Sequence, residues 1–114
     1  MTIEYKQAAQ ARENSTNPVK IYATPQDLTV DPTTAQLFLK FVNTTSAVAS
    51  VRVFHDDDGT TYDETTAIAW DVEIEPGSIL EMDKIFMNDR DGNLAYRSSV
   101  ANAITATVYT VEKT

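Results

Sequence analysis

The feature that most limits what this 114-residue chain can become is a two-residue period. Side chains of an extended strand point to opposite faces in turn, so alternating apolar and polar residues specify a strand with one buried face. Such runs recur along the chain. Val19, Ile21 and Ala23 alternate with Lys20 and Tyr22, and Leu37, Leu39 and Phe41 share a face opposite Phe38, Lys40 and Val42. Val51 and Val53 alternate with Arg52 and Phe54. The clearest run puts Ile68, Trp70, Val72 and Ile74 opposite Asp71 and Glu73, which predicts Trp70 in the core rather than on a sugar-stacking surface. In residues 79–86 both faces are mixed, with Leu80, Met82, Lys84 and Phe86 opposite Ile79, Glu81, Asp83 and Ile85, as for a strand covered on each side. Leu94 and Tyr96 mark a short strand. A closing run over about 103–111 is rich in β-branched residues, with Ile104, Ala106 and Val108 on one face.

Turn signals separate these runs. Pro25 and Pro32 cannot donate to a ladder, and Asp58-Gly59, Pro76-Gly77 and Asp91-Gly92 offer the positive or fixed φ that tight turns require. Asn43-Thr44-Thr45-Ser46 reads as a further loop. Seven to eight short strands so punctuated predict an all-β fold, an antiparallel β-sandwich of jelly-roll or Ig-like type. The length suits one domain with one core. The stretch from Tyr5 to Asn17 is polar apart from three alanines, too poor in apolar residues for a core strand. It predicts an extended N-terminal arm over residues 1–17 and a sandwich over 18–114. Deleting such an arm would leave the sandwich folded and weaken docking on a neighbour. Tyr5, Gln7, Gln10, Arg12, Asn17 and Pro18 are the candidate partner-binding residues.

Charge narrows the partners. Seventeen acidic against nine basic residues give a net charge of -8, which repels phosphate backbones and anionic lipid headgroups, so neither nucleic acid nor membrane is expected as a partner. There are no cysteines, which removes disulfides, thiolate metal sites and a cysteine nucleophile. The start, Met1-Thr2-Ile3-Glu4-Tyr5-Lys6, lacks a basic-then-apolar layout, and the expectation is a protein made in a cytoplasm without a cleaved signal.

Two acidic turns invite a chemical reading. Aligning Gly59 with the glycine of a helix-loop-helix calcium loop puts Phe54 first and Thr65 last, where a bidentate Glu belongs; aligning Gly92 puts Met87 first and Ser98 last. Neither fits, and Asp56-Asp57-Asp58-Gly59 reads as an Asp-Gly hairpin with extra charge, its adjacent carboxylates repelling one another. His55 is the sole histidine, so a multi-histidine metal site is out, and no Gly-x-Ser-x-Gly elbow accompanies it; Ser98-Ser99 sits in an ordinary polar stretch. No glycine-rich phosphate loop precedes a helix. The residues therefore predict no enzyme, no metal and no cofactor, with an opportunistic calcium site at Asp56-Asp57-Asp58 as the alternative to the plain hairpin.

The order of features resembles small β-sandwich virion proteins of tailed bacteriophages. The matching residues are Tyr22-Ala23-Thr24-Pro25, Phe41-Val42-Asn43-Thr44, Val51-Arg52-Val53, Ala69-Trp70-Asp71-Val72, Pro76-Gly77, Asn93-Leu94-Ala95-Tyr96-Arg97-Ser98-Ser99, Ala101-Asn102 and Thr107-Val108-Tyr109-Thr110-Val111-Glu112. The similarity runs from Tyr5 nearly to the end. It departs at the start, where a usual glycine is missing from residues 5–10, and at Thr110, where a glycine is common. The resemblance implies a capsid decoration, or cement, protein on the outer capsid surface of the virion, binding the major capsid protein and copies of itself as a homo-oligomer. It implies equally a small tail component, a receptor- or glycan-binding module presenting residues 56–63 and 88–93.

Overall fold

The alternating runs fold as strands, and their connections decide the layering. A computed structural model of the chain describes residues 2–25, 33–88 and 91–113. The strands are β1 (Ile3–Arg12), β2 (Val19–Ala23), β3 (Thr34–Asn43), β4 (Ala49–Asp56), β5 (Ala67–Ile74), β6 (Ile79–Met87), β7 (Asn93–Ser98) and β8 (Ile104–Lys113). They form two four-stranded antiparallel sheets, ordered β1-β8-β3-β6 and β2-β7-β4-β5. Only the β4–β5 connection stays within one sheet; every other one crosses to the opposite layer. This is the eight-stranded jelly-roll arrangement, which decides between the two sandwich types the sequence left open.

The core lies between the layers. Leu37 and Phe41 of β3, Val51 and Val53 of β4, Leu94 and Tyr96 of β7, and Ala106 and Val108 of β8 are all buried. The rings of Phe41 and Tyr96 meet at 5.7 Å between centroids. Among the described residues the buried polar side-chain atoms all have hydrogen-bond partners, as the cost of an unpaired one demands. Asn43 donates its amide to the carbonyls of Ala47 and Ile74, each at 2.8 Å, and its Oδ1 accepts from the Thr45 amide and hydroxyl. The loop after β3 is thereby pinned to the end of β5. At the next turn Ser78 N–H donates to the Glu75 carbonyl at 2.9 Å, with Pro76 and Gly77 (φ 74°) between them, as a type II turn requires.

Bulges reset the two-residue period in β1, β2, β5 and β6. In β5 the register shifts twice, at Ile68 and at Trp70–Asp71, where Asp71 has φ 52°. Ala69 pairs with Val53 and Val72 with Val51, so Ala69, Val72 and Ile74 face inward while Ile68 and Trp70 turn outward. Trp70 is 41% exposed, which corrects its expected place in the core. In β6 the break falls at Asp83–Lys84, with Lys84 at φ 60°. Leu80, Met82, Ile85 and Met87 then all face the core, and Phe86 faces out. The mixed faces read from the sequence are one apolar face interrupted by a bulge. In β2 the shift after Lys20 buries Tyr22 rather than leaving it on the polar side.

Within residues 1–17, expected as an arm, Ile3–Arg12 form the edge strand β1, paired with β8 from Ile3↔Lys113 to Arg12↔Thr105. An edge strand needs little apolar surface. The bulge at Ala8 lets Ala9 pack on the core beside Ala8, and that suffices once backbone bonds to β8 are made. A polar clamp adds to this: Lys6 Nζ lies 3.0 Å from Glu112, and Tyr22 of the other sheet donates to the same carboxylate at 2.6 Å. After β1, the Glu13 amide donates to the Tyr96 hydroxyl at 3.1 Å.

The expected Asp58-Gly59 hairpin is also corrected. Gly59 is outside the left-handed region, and β4 joins β5 through a long loop, residues 57–66. Pro32 and the central residues of the second acidic turn, Asp89 and Arg90, lie outside the described residues.

Candidate functional site

The six candidate contact residues divide between the two outer faces of the sandwich. Tyr5, Gln7, Gln10 and Arg12 pair in turn with Val111, Tyr109, Thr107 and Thr105, the outward residues of β8. The bulge at Ala8 keeps all four on one side. Without it, Gln10 and Arg12 would point into the core.

Carried across the sheet, the register builds rows on this face. Tyr5, Val111, Gln36 and Phe86 form one row; Gln7, Tyr109 and Phe38 the next; Gln10, Thr107, Lys40 and Glu81 a third. Four aromatic side chains stand open in the first two rows: Tyr5 is 79% exposed, Phe86 62%, Tyr109 44% and Phe38 37%. Strands sit about 4.8 Å apart, so these rings span roughly 15 Å of sheet. A hollow of about 520 Å³ opens beside them at the β6 bulge, lined by Phe38, Lys40, Glu81, Met82, Asp83 and Tyr109. The charges in these rows, their continuation and the hollow are Arg12, Lys40 and Lys113 against Glu81 and Asp83, a slight basic excess on an acidic protein.

Asn17 and Pro18 fall elsewhere. With Thr16 they rim a hollow of about 680 Å³ on the outer face of the β2-β7-β4-β5 sheet, whose other lining includes Arg52, Tyr62, Trp70 and Arg97. The Arg52 guanidinium lies 3.7 Å from the Trp70 ring centroid and donates from Nε and Nη2 to Asp71 at 2.6 and 3.0 Å. That pair, aided by Arg97, holds the Asp71 carboxyl below its ordinary range and raises Arg52. Arg97 is held from behind, its Nε donating to the Thr16 carbonyl at 3.0 Å. Phe54 forms the floor, edge-on to Trp70 with ring centroids 6.4 Å apart. On the far rim the Asp63 carboxylate accepts from both the hydroxyl and the amide of Thr65, which lowers its pKa.

The residues weighed for chemistry are placed as follows. The carboxylates of Asp56, Asp57 and Asp58 offer oxygens within 4.8 Å of one another. Asp56 uses both of its oxygens on the loop backbone, accepting from the amides of Thr61 (2.7 Å) and Asp58 (3.2 Å), and these bonds lower its pKa. His55 lines a hollow of about 180 Å³ with Asp57, Phe86, Met87, Asn88 and Gly92, none of them a hydroxyl or thiol nucleophile. Ser98 exchanges hydrogen bonds with the Val100 carbonyl and amide, and Ser99 accepts from the Ser50 amide.

Sequence reasoning missed Phe38, Phe86 and Tyr109 on one face and Trp70 with Arg52 and Arg97 on the other. For Phe38 a signal was present: a large aromatic sits in the polar half of a cleanly alternating strand. For Trp70 and Phe86 the signal was masked by the bulges, which invert the faces beyond them.

No protein-family model and no curated protein matches the chain. Among solved structures it is similar to a chain in the structure of infectious bursal disease virus, Gx strain, with a TM-score of 0.47 and 10% sequence identity over 97% of this chain. The match covers 30% of that chain's length.

Proposed function

We propose that the protein is a structural component of a tailed-bacteriophage particle, a decoration protein that docks on the capsid exterior and bridges neighbouring major capsid subunits, with copies of itself alongside. The fold does not decide this, since jelly rolls serve capsids, lectins and cupins alike. The observation that carries the reading is the open face of the β1-β8-β3-β6 sheet. Tyr5, Phe38, Phe86 and Tyr109 stand exposed together beside a hollow able to receive a partner's side chain. Contiguous exposed aromatics of this kind mark docking surfaces, and aromatic residues dominate the energetics of such interfaces. The resemblance of the motif order to phage virion proteins is what favours the major capsid protein as the partner in this reading. The slight basic excess on this face suits an acidic capsid surface and leaves the remaining acidic surface turned outward.

The test is co-sedimentation of the purified protein with capsids lacking it. Saturation on the order of hundreds of copies per particle is expected, the regime in which many weak contacts reinforce a shell. Phe86→Ala and Tyr109→Ala should each weaken binding about 10- to 100-fold, roughly 1.4–2.8 kcal/mol. Undiminished binding by the double variant, or a stoichiometry of a handful of copies on tails, would overturn the reading.

A further inference from the structure

We infer that the Trp70 hollow is a binding site for an uncharged saccharide. The inference stands on this hollow alone and does not require capsid docking. An indole face is electron-rich and attracts the weakly positive C–H face of a pyranose ring, so an exposed tryptophan among planar polar groups is suited to sugars. Trp70 is such a residue, and it is held in place. Arg52 stacks on one ring face at 3.7 Å while Asp71 fixes the guanidinium through two bonds, and Phe54 supports the ring edge-on. Trp70 nevertheless stays 41% exposed, and a second hollow of about 390 Å³, lined by Glu64, Ala67 and Trp70, lies against the indole.

The surrounding groups supply both halves of a hydroxyl's hydrogen bonding. Arg52 and Arg97 are donors with guanidinium N–H groups beyond those already bonded, Glu64 is an acceptor on the rim, and Asn17 offers both. The volume falls within the range of small-ligand sites, about 300–1,000 Å³. Charge sets the class of sugar. Arg52 and Arg97 are outnumbered by Asp63, Glu64 and Asp71 in and beside the hollow, on a chain of net charge -8, so sialic or uronic acids are disfavoured. The site lies on the outer face opposite the aromatic docking face, so both surfaces can be occupied together.

Trp70 is the only tryptophan, so emission excited beyond the tyrosine absorption band reports this site alone. The labelled protein is screened on an array of bacterial surface polysaccharides and of neutral and acidic oligosaccharides, and each glycan bound is titrated against Trp70 emission. Neutral pyranose glycans are expected to give saturable changes with Kd between about 10 μM and 1 mM. Glu64→Gln, an exposed substitution that leaves the fold unchanged, should weaken binding about 5- to 10-fold, and Trp70→Ala, checked for folding by NMR dispersion, should abolish array binding. Three results would overturn the inference. One is an array without a glycan bound above the Trp70→Ala control. Another is preference for acidic sugars. The third is binding that leaves Trp70 emission unchanged up to about 10 mM ligand.

Discussion

Replacing Glu112 with alanine should destabilise the fold by about 3 kcal/mol, and the reason is the clamp it forms between the two sheets. Its carboxylate is buried and accepts from Tyr22 at 2.6 Å and Thr110 at 3.3 Å, with Lys6 at 3.0 Å. A hydrogen bond to a charged acceptor contributes about 1.5–3 kcal/mol, and a buried hydroxyl left without a partner costs roughly 1–3 kcal/mol. The Lys6 contact adds little, because that side chain is 42% exposed and exposed ion pairs contribute about 0–1 kcal/mol. Removing the carboxylate also relieves its own desolvation, which offsets part of the loss. The assay is urea unfolding followed by far-UV circular dichroism, reading the midpoint at constant slope. At this chain length 3 kcal/mol corresponds to a Tm lowered by roughly 10–15 °C. Tyr22→Phe alone should cost about 1–2 kcal/mol, and in Glu112→Ala/Tyr22→Phe the orphaned hydroxyl is gone. The double variant should therefore be more stable than the sum of the singles by at least about 1 kcal/mol. Additivity within about 0.5 kcal/mol would refute the clamp.

Lys84 lies in the left-handed region at φ 60°, so Lys84→Gly should stabilise by up to about 1 kcal/mol while Lys84→Val destabilises by more than about 1 kcal/mol; equal effects in thermal melts would show that no bulge is present. The carboxyls of Asp56, Asp63 and Asp71 are all held below the ordinary 3.8, so the unfolded chain binds more protons than the folded one in that range. Stability should then fall as pH drops through about 4 and below, and Asp71→Asn should flatten that fall in an acid titration followed by circular dichroism. Deleting residues 1–17 removes β1 from β8, Lys6 from Glu112 and Glu13 from Tyr96, so the truncated chain should melt well below the full one; an unchanged Tm would restore the free-arm reading.

How much of this was legible in the sequence depended on whether a strand keeps its period. In β3, β7 and β8 the alternation is unbroken, and Leu37, Leu39, Phe41, Leu94, Tyr96, Ile104, Ala106 and Val108 all lie where their spacing puts them. In β5 and β6 the bulges at Asp71 and Lys84 reverse the faces, and neither residue advertises a positive φ as glycine would. β1 is hidden in the sequence for another reason. An edge strand is held by main-chain bonds to β8, which leave no mark on composition. On the two candidate surfaces, Tyr5, Gln7, Gln10 and Arg12 stand in a visibly polar stretch of sequence, whereas Trp70 and Phe86 lie at positions the bulges reverse.

The placement of the strained residues ties the two surfaces together. A side chain held in the left-handed region costs roughly 1–2 kcal/mol, and such outliers persist where surrounding structure enforces them. Asn102 is accounted for locally, since its amide donates to the Glu13 carbonyl at 2.8 Å and fastens the turn before β8. Asp71 and Lys84 stand differently. Asp71 follows Trp70 and anchors the arginine stacked on it, while Lys84 adjoins Asp83, which lines the hollow beside Phe38 and Tyr109, and precedes Phe86 by two. A regular β5 with the same Val51↔Val72 pairing would turn Trp70 inward and dissolve the stacked site. A regular β6 in register with Ile85 would turn Leu80 and Met82 out to water. The β5 bulge thus aims Trp70 away from the core, and the β6 bulge brings Leu80 and Met82 into the core with Ile85 and Met87 while Phe86 faces out. The strain at Asp71 and Lys84 is therefore coupled to the surfaces on which binding is proposed, one on each side of the sandwich.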